Sequence, residues 1–211
     1  MTIDFMYLGI VLLVVLLSMT LHEAMHAFMS YWLGDDTAKR EGRLTLNPVK
    51  HLDPFLSILL PLMLAVLGGP IFGGAKPVPF RPENLKWGEW GAALMAAAGP
   101  LTNLLLAFIA YGIWVMVGVN SGGLLGTFLS LSVLVNLGFF VFNMIPIPPL
   151  DGSRVLYALA PDFVRNIMSA IERLGIVFIF AIVLLAGSIL GTYMGSAINF
   201  FLGLFRAIFG A

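Results

Sequence analysis

Long apolar runs alternate with shorter polar stretches along the chain. The apolar runs cover residues 5–33, 54–72, 91–118, 122–145, 174–190 and 192–210, and the polar stretches cover 34–53, 73–90 and 146–173. About 20 apolar residues are enough to cross a bilayer as a helix. The pattern therefore predicts an all-α protein with several membrane-spanning helices. Residues 5–33 would form a helix roughly 43 Å long, which exceeds a hydrocarbon core of about 30 Å.

The composition supports a membrane protein. Of the 211 residues, 60% are hydrophobic and 10% are charged, whereas a soluble domain has about 25% charged residues. The 11 basic residues balance the 11 acidic ones, so we expect lipid and no nucleic acid as a partner. Cysteine is absent, which excludes thiol nucleophiles and cysteine-ligated zinc. The leader MTID has no basic residue, so residues 5–33 are predicted to be a retained helix and not a cleaved signal.

Run 54–72 either crosses the membrane or re-enters it. It contains Pro54 and Pro61, and it breaks at Gly68, which leaves a stretch that is short for a spanning helix. If residues 54–80 dip into the membrane and return, all basic residues of the three polar stretches lie on one side. Arg206 joins them there if the last two runs both cross. The positive-inside rule favours this model, with the N-terminus outside and the polar loops in the cytoplasm.

The first run carries a candidate metal site, His22-Glu23-Ala24-Met25-His26. At about 100° per residue, the two histidines lie on one helix face, one turn apart, and can bind the same metal. Glu23 is placed to reach a water molecule beside that metal, as the general base of an H-E-x-x-H site does. Ionisable groups inside a bilayer are costly and usually functional, so we interpret the cluster as functional.

A third protein ligand is needed, because catalytic zinc usually has three. Asp151 is the best candidate, because the prolines of Pro146-Ile147-Pro148-Pro149 end the preceding helix and Gly152 permits a tight turn beside the carboxylate. Glu172 and His51 are alternatives, although His51 is predicted to lie at the surface of a polar loop. The re-entrant topology brings Asp151 to the side of the membrane where His22 lies.

These motifs resemble those of the site-2 proteases, a family of intramembrane zinc metalloproteases. The resemblance rests on the H-E-x-x-H motif, on Ala98-Gly99-Pro100-Leu101-Thr102-Asn103, and on Asn143 through Asp151-Gly152, in that order along the chain. The loop from Gly42-Arg43-Leu44-Thr45 to Pro48 and the tract Ala75-Lys76-Pro77-Val78-Pro79 resemble a compact prokaryotic branch. Met25 is a departure, since many members carry glycine there.

The resemblance implies that residues 1–211 form one protease domain. It also implies that the protein lies in a prokaryotic cell membrane. Its catalytic core would be three helices: 5–33, 91–118 and 122–145. The rest would be a re-entrant segment with an extended return over 54–80, small extended or β pieces in the cytoplasmic loops, a ligand loop over 146–152 and C-terminal helices over 174–210. One Zn²⁺ would be held by His22, His26 and Asp151, with Glu23 as the base. The substrate would be another membrane protein, cut in or near a transmembrane segment.

Two polar residues within apolar runs have open roles. The resemblance implies that Asn103 and Asn143 steady the catalytic water or the scissile carbonyl. Equally, each can hold helices together, because amide side chains hydrogen-bond across helices in membranes. The tract Lys76-Pro77-Val78-Pro79-Phe80 either clamps an extended substrate at one edge or is only the return from the re-entrant segment.

A different class of function uses the same side chains. His22, Glu23, His26 and Asp151 could form a proton or metal relay in a transporter, or a metal-binding scaffold without proteolysis. Transporters often contain internal repeats, and no repeat is visible in this sequence. The pairing of H-E-x-x-H with Asp-Gly favours hydrolysis.

Overall fold

The computed structural model describes residues 5–59, 74–118 and 123–210. These residues form seven α-helices: α1 (Phe5–Trp32), α2 (Thr37–Arg40), α3 (Glu89–Met116), α4 (Leu124–Asn143), α5 (Asp151–Leu159), α6 (Asp162–Glu172) and α7 (Ile176–Phe209). Pro48–Lys50 and Pro82–Asn84 are single 3₁₀ turns, and Pro54–Leu59 is a π-helical turn. The prediction of an all-α protein is confirmed.

Four of these helices, α1, α3, α4 and α7, are long and apolar enough to cross a membrane. The protein is therefore an integral membrane protein with several spanning helices. Helices α1, α3 and α4 pack against one another, as the three-helix core predicts, and α5 packs on α3. Small residues of α3, among them Ala92, Ala96 and Ala107, are buried and let its neighbours approach closely.

The second half of α7 packs against the end of this core that lies away from α5. Tyr111 of α3, Leu137 of α4 and Phe205 of α7 belong to one buried cluster. Most large side chains elsewhere on α7 are exposed, for example Leu185 at 88%, as expected for a helix that faces lipid. Packing thus leaves the other end of α3, which begins at Glu89, for the contact with α1 and α5.

The last two apolar runs lie on α7, in which two helical segments meet at a kink. Helix α7 continues through Gly191 and is kinked at Ala186, where the backbone is non-helical. Inside a bilayer the backbone must bond to itself, so a glycine does not end a helix there. As a result Arg206 lines a groove with Tyr111 and Ser130, at the end of the core away from α5. Arg206 therefore does not lie at the end of the core where α5 packs on α3, and its place beside the other basic residues stays a prediction that depends on both runs crossing.

Residues 74–81, after the predicted re-entrant segment, have neither helix nor strand. Within the described ranges no residue forms a β-strand, so the predicted small β pieces are not found there. Residues 60–73, which hold most of the predicted re-entrant segment, lie outside the described part of the chain, and its path is not assigned.

A buried carboxylate joins the two polar loops that flank this segment. Asp35 is fully buried and accepts hydrogen bonds from the side chains of Ser30, Thr37 and Asn84 and from the N–H of Arg81. Burial raises the pKa of Asp35, but these donors outweigh it and hold the pKa below its usual value. The loop after α1 is thereby fixed to the turn before α3.

Candidate active site

Helix α1 presents His22 and His26 to the interior of the helix core. Both side chains are buried, each with 6% exposure, and their Nε2 atoms lie 3.0 Å apart. The one-turn spacing of the motif produces this arrangement. Glu23 lies between them in sequence, is half-buried and faces the same cleft.

Asp151 reaches the two histidines from a distant part of the chain. Its Oδ2 atom lies 3.2 Å from Nε2 of His22 and 3.4 Å from Nε2 of His26. Helix α4 ends at Asn143, a turn with three prolines follows, and Asp151 is the first residue of α5. The structure therefore brings together His22, His26 and Asp151, and places Glu23 beside them.

Gly152 allows this approach for a different reason from the predicted one. It lies inside α5, so no special turn conformation is needed. A Cβ atom at Gly152 would lie 2.3 Å from the carbonyl oxygen of Met144 and 2.8 Å from that of Ile145. The glycine is needed because the start of α5 packs directly on the backbone that leaves α4.

The second nitrogen of each imidazole is fixed by an oxygen. Nδ1 of His22 lies 2.6 Å from Oδ1 of Asn103, and Nδ1 of His26 lies 2.8 Å from the carbonyl oxygen of Met95. Since these oxygens only accept, each Nδ1 carries a proton, which leaves Nε2 as the nitrogen of each ring that can bind a metal. Outer hydrogen bonds of this kind orient metal-binding histidines in known sites.

The donor set fits a zinc ion. Two Nε2 atoms 3.0 Å apart, with a carboxylate oxygen 3.2 and 3.4 Å away, form a group of three ligand atoms that a shared cation would stabilise. Ligands about 2.0–2.1 Å from a tetrahedral zinc lie roughly 3.3 Å from each other, close to these separations. Two imidazoles and one carboxylate also match the ligand types of catalytic zinc sites.

Asn103 lies behind His22, away from the cleft. Besides its contact with His22, its Nδ2 donates to Oδ1 of Asn136 at 2.8 Å and approaches the carbonyl oxygen of Ser18 at 3.3 Å. This network joins α1, α3 and α4. Asn143 lies elsewhere, in the wall of the cleft, and its Nδ2 donates to the carbonyl oxygen of Phe139 at 3.0 Å.

Sequence reasoning missed three residues of this site. Asn136 completes the network behind Asn103, and Met95 supplies the carbonyl for His26. Gly99 lies against both imidazoles, because a Cβ atom there would be 2.5 Å from Nε2 of His26 and 2.8 Å from Nε2 of His22. Gly99 belongs to a motif of the sequence, but the sequence holds no signal that it touches the histidines.

The alternative third ligands lie in different surroundings. His51 is fully buried, so the prediction of a surface position is wrong; its Nε2 lies 2.8 Å from the carbonyl oxygen of Thr45. Glu172 lines the cleft but pairs with Arg154 at its rim. Among the described residues, His22, His26 and Asp151 form the group whose ligand atoms lie within 4.8 Å of one another.

A cleft of about 470 Å³ opens onto Glu23 and the metal-binding cluster. One wall is formed by the chain that precedes α3, and another by the start of α5; the residues from these walls are Gly74, Ala75, Pro77, Val78, Phe80, Pro149 and Arg154. The carboxylate of Glu23 makes no hydrogen bond or ion pair with any residue that the structure describes. The cleft thus joins an unpaired carboxylate to a site that fits zinc.

Comparison with known proteins identifies the family. The model of peptidase family M50 matches residues 118–187. YwhC of Bacillus subtilis, named as a zinc metalloprotease, is 42% identical over 96% of this chain and 92% of its own length. Rip2 of Mycobacterium tuberculosis, also named as a zinc metalloprotease, is 30% identical over 90% of this chain and 73% of its own. No solved structure matches the chain significantly.

The fold and the site together define a membrane-embedded metalloprotease. With relatives of this identity along nearly its whole length, the chain belongs to peptidase family M50, the site-2 proteases. It is a zinc metalloprotease of the membrane.

Proposed function

We propose that this protease cuts a peptide bond in or beside a transmembrane segment of another membrane protein. The support is the depth of the site in a spanning helix. His26 lies six residues before the end of α1 at Trp32, which is about 9 Å along the helix axis. The aromatic side chains of Trp32 and Trp87 are exposed and in contact, as in the belt at a membrane surface. A substrate bond at the site would therefore lie just inside the membrane.

His22, His26 and Asp151 would hold one zinc ion, with their Nε2 and Oδ2 atoms as ligands. A zinc ion bound there supplies Lewis-acid activation of water and of the scissile carbonyl. Asn103 and the carbonyl of Met95 keep the two imidazoles in the tautomer that binds metal. In this proposal Asn103 orients a ligand, and Asn143, in the cleft wall, steadies the substrate carbonyl.

Glu23 is the proposed general base. The observation that carries this role is its carboxylate, which faces the cleft beside His22 and is free of hydrogen bonds from the described residues. It can take a proton from the attacking water and give it to the amide nitrogen as the peptide bond breaks. A carboxylate already held by donors would be a weaker base.

The substrate segment has to unwind, because a helix shields its own carbonyl groups. Residues 74–80 are suited to hold it extended. Lys76 and Val78 precede prolines and are restricted to extended conformations. In the described structure, the main chain of Ala75 has no hydrogen-bond partner and Ala75 lines the cleft. We propose that an unwound substrate pairs with this edge, in the manner of strand addition.

The proposed orientation places the N-terminus outside and the site near the cytoplasmic face. Ten basic residues then lie on the cytoplasmic side: Lys39, Arg40, Arg43, Lys50, Lys76, Arg81, Lys86, Arg154, Arg165 and Arg173. This distribution satisfies the positive-inside rule. Relatives come from bacteria, among them Bacillus subtilis, so we place the protein in a prokaryotic cell membrane.

The base is tested by Glu23→Gln in the purified, zinc-loaded protein. The substrate is a designed fusion with one transmembrane segment that carries an Asn-Pro pair near its cytoplasmic end. We expect cleavage to fall about 10²–10⁴-fold, the usual contribution of acid–base catalysis, with zinc content unchanged. Glu41→Gln, an exposed glutamate of the first loop, is the matched control. Cleavage by Glu23→Gln at the rate of the control would rule out this role.

A further inference from the structure

Arg43 is a buried arginine outside the metal cluster and close to it. Its side chain is in the first polar loop, and the residue is 3% exposed. Nη2 donates to the carbonyl oxygen of Lys76 and lies 3.5 Å from Nδ1 of His51. Nε and Nη1 are also buried, and they have no hydrogen-bond partner in the described part of the chain.

Such a residue is costly for a purely structural role. Buried charges need partners, and Arg43 makes no ion pair with any described carboxylate. Burial lowers the pKa of Arg43, and the charges of Glu23 and Glu41 offset part of this effect. The charge and its unused donors therefore call for a role in the function of the site.

The contact of Arg43 is with a wall of the cleft. The two main-chain groups of Lys76 are both held by the 43–51 loop, since its N–H donates to the carbonyl oxygen of His51 at 2.9 Å and its own carbonyl accepts from Arg43. The carbonyl of Gly74 accepts from Oγ of Ser57 at 2.6 Å. The segment 74–78 is thus attached along one edge to the loop that precedes it.

This attachment determines which main-chain groups of the segment face the cleft. In an extended chain, the main-chain groups of successive residues point to opposite sides. When those of Lys76 face Arg43 and His51, those of Ala75 face the other way, toward the cleft that Ala75 lines. A shift of Lys76 would therefore move the edge of Ala75 relative to Glu23.

We propose that Arg43 is a positioning residue, which holds the 74–78 segment so that an extended substrate lies in register with Glu23. This role rests on the proposed intramembrane proteolysis. Arg43 acts through the carbonyl of Lys76 and touches neither the zinc ligands nor the scissile bond. Loss of Arg43 should therefore leave the metal in place and misalign the substrate.

The test compares Arg43→Gln and Arg43→Lys with Arg40→Gln, a control in the same loop whose guanidinium is exposed and paired with Asp36. The full-length, zinc-loaded protein cleaves the designed single-span fusion, and the products are located by mass spectrometry. For Arg43→Gln we expect unchanged zinc content, a KM raised about 10-fold by loss of a charge-assisted hydrogen bond, and cuts spread over neighbouring bonds. Arg43→Lys should recover part of the loss, and Arg40→Gln should match the parent protein.

A second measurement does not depend on cleavage. Because the chain has no cysteine, Ala75→Cys can be cross-linked to single cysteines placed along the transmembrane segment of the fusion. With Arg43 present, Ala75→Cys should cross-link mainly to one position of the transmembrane segment. In the Arg43→Gln background it should cross-link to several positions. Failure of the parent protein to cut the fusion would refute the proposed function, while the cross-links would still report on Arg43.

Two results would overturn the role of Arg43. One is a parent-like KM, cleavage site and cross-link in Arg43→Gln. The other is loss of zinc in both Arg43→Gln and Arg43→Lys, which would make Arg43 a residue of the folded structure and not of substrate alignment. If only Arg43→Gln loses zinc, the cross-link pattern of Arg43→Lys decides: a single position identical to that of the parent protein counts against the proposal.

Discussion

At the scale of single residues, the site has no space for one additional methyl group beside the two imidazoles. Gly99 of α3 leaves the space in which Nε2 of both His22 and His26 lie. Asn103 and the Met95 carbonyl fix the far side of the same rings. The imidazoles are therefore held between a missing side chain and two acceptors, and neither ring can move without losing a hydrogen bond.

Gly99→Ala is expected to weaken zinc binding strongly. The new Cβ would lie 2.5 Å from Nε2 of His26, so the ring has to leave its present position. Displacement of an oriented ligand costs about 10–100-fold in metal affinity. Zinc affinity is measured by competition with a chelator. The control is Gly138→Ala on α4, where a Cβ would meet nothing within 4 Å. Equal affinities in the two variants would contradict the close contact at Gly99.

The sequence predicted the site residues unequally. The histidine spacing is a local property of a helix, so the motif alone is enough to pair His22 with His26. The prolines before Asp151 and Gly152 after it are enough to predict Asp151 as a ligand. Met95, Gly99 and Asn136 cannot be predicted in this way. Their contacts depend on how α3 and α4 pack on α1, and no spacing in the sequence encodes that packing.

At the scale of elements, the long apolar runs predict the bounds of the helices well. Helices α1, α3 and α4 begin and end within about two residues of the predicted runs, as helix ends usually do. The break between the two segments of α7 lies at Ala186, whereas the sequence pattern places it at Gly191, a residue that the helix tolerates inside a bilayer. The polar loop around His51 predicts a surface position, whereas the folded loop buries this histidine completely.

The direction in which these helices cross the membrane can be measured on single-cysteine variants, since the parent chain has no cysteine. Glu83→Cys, in the loop before α3, should be shielded from a membrane-impermeant thiol reagent in intact cells. Ser121→Cys, between α3 and α4, should react. The reason is the concentration of basic residues on the side of Glu83. Reaction of Glu83→Cys from outside, before lysis, would reverse the proposed topology.

At the scale of the whole molecule, two distant parts of the chain meet inside a helical core. α1 supplies two nitrogen ligands and the proposed base, and the start of α5 supplies the carboxylate. Helix α3 lies between them and packs on both. The segment before α3 closes one wall of the cleft, so one arrangement of helices provides metal ligands, base and substrate edge together.

We propose that three side chains from these two parts of the chain bind one zinc ion. The most direct measurement is the zinc content of the purified protein beside that of Asp151→Ala, with Glu172→Gln as the control from the same cleft. We predict about one zinc per chain in the parent protein and in Glu172→Gln, and its loss in Asp151→Ala. Zinc retained in Asp151→Ala, or lost in Glu172→Gln alone, would contradict the proposed ligand set.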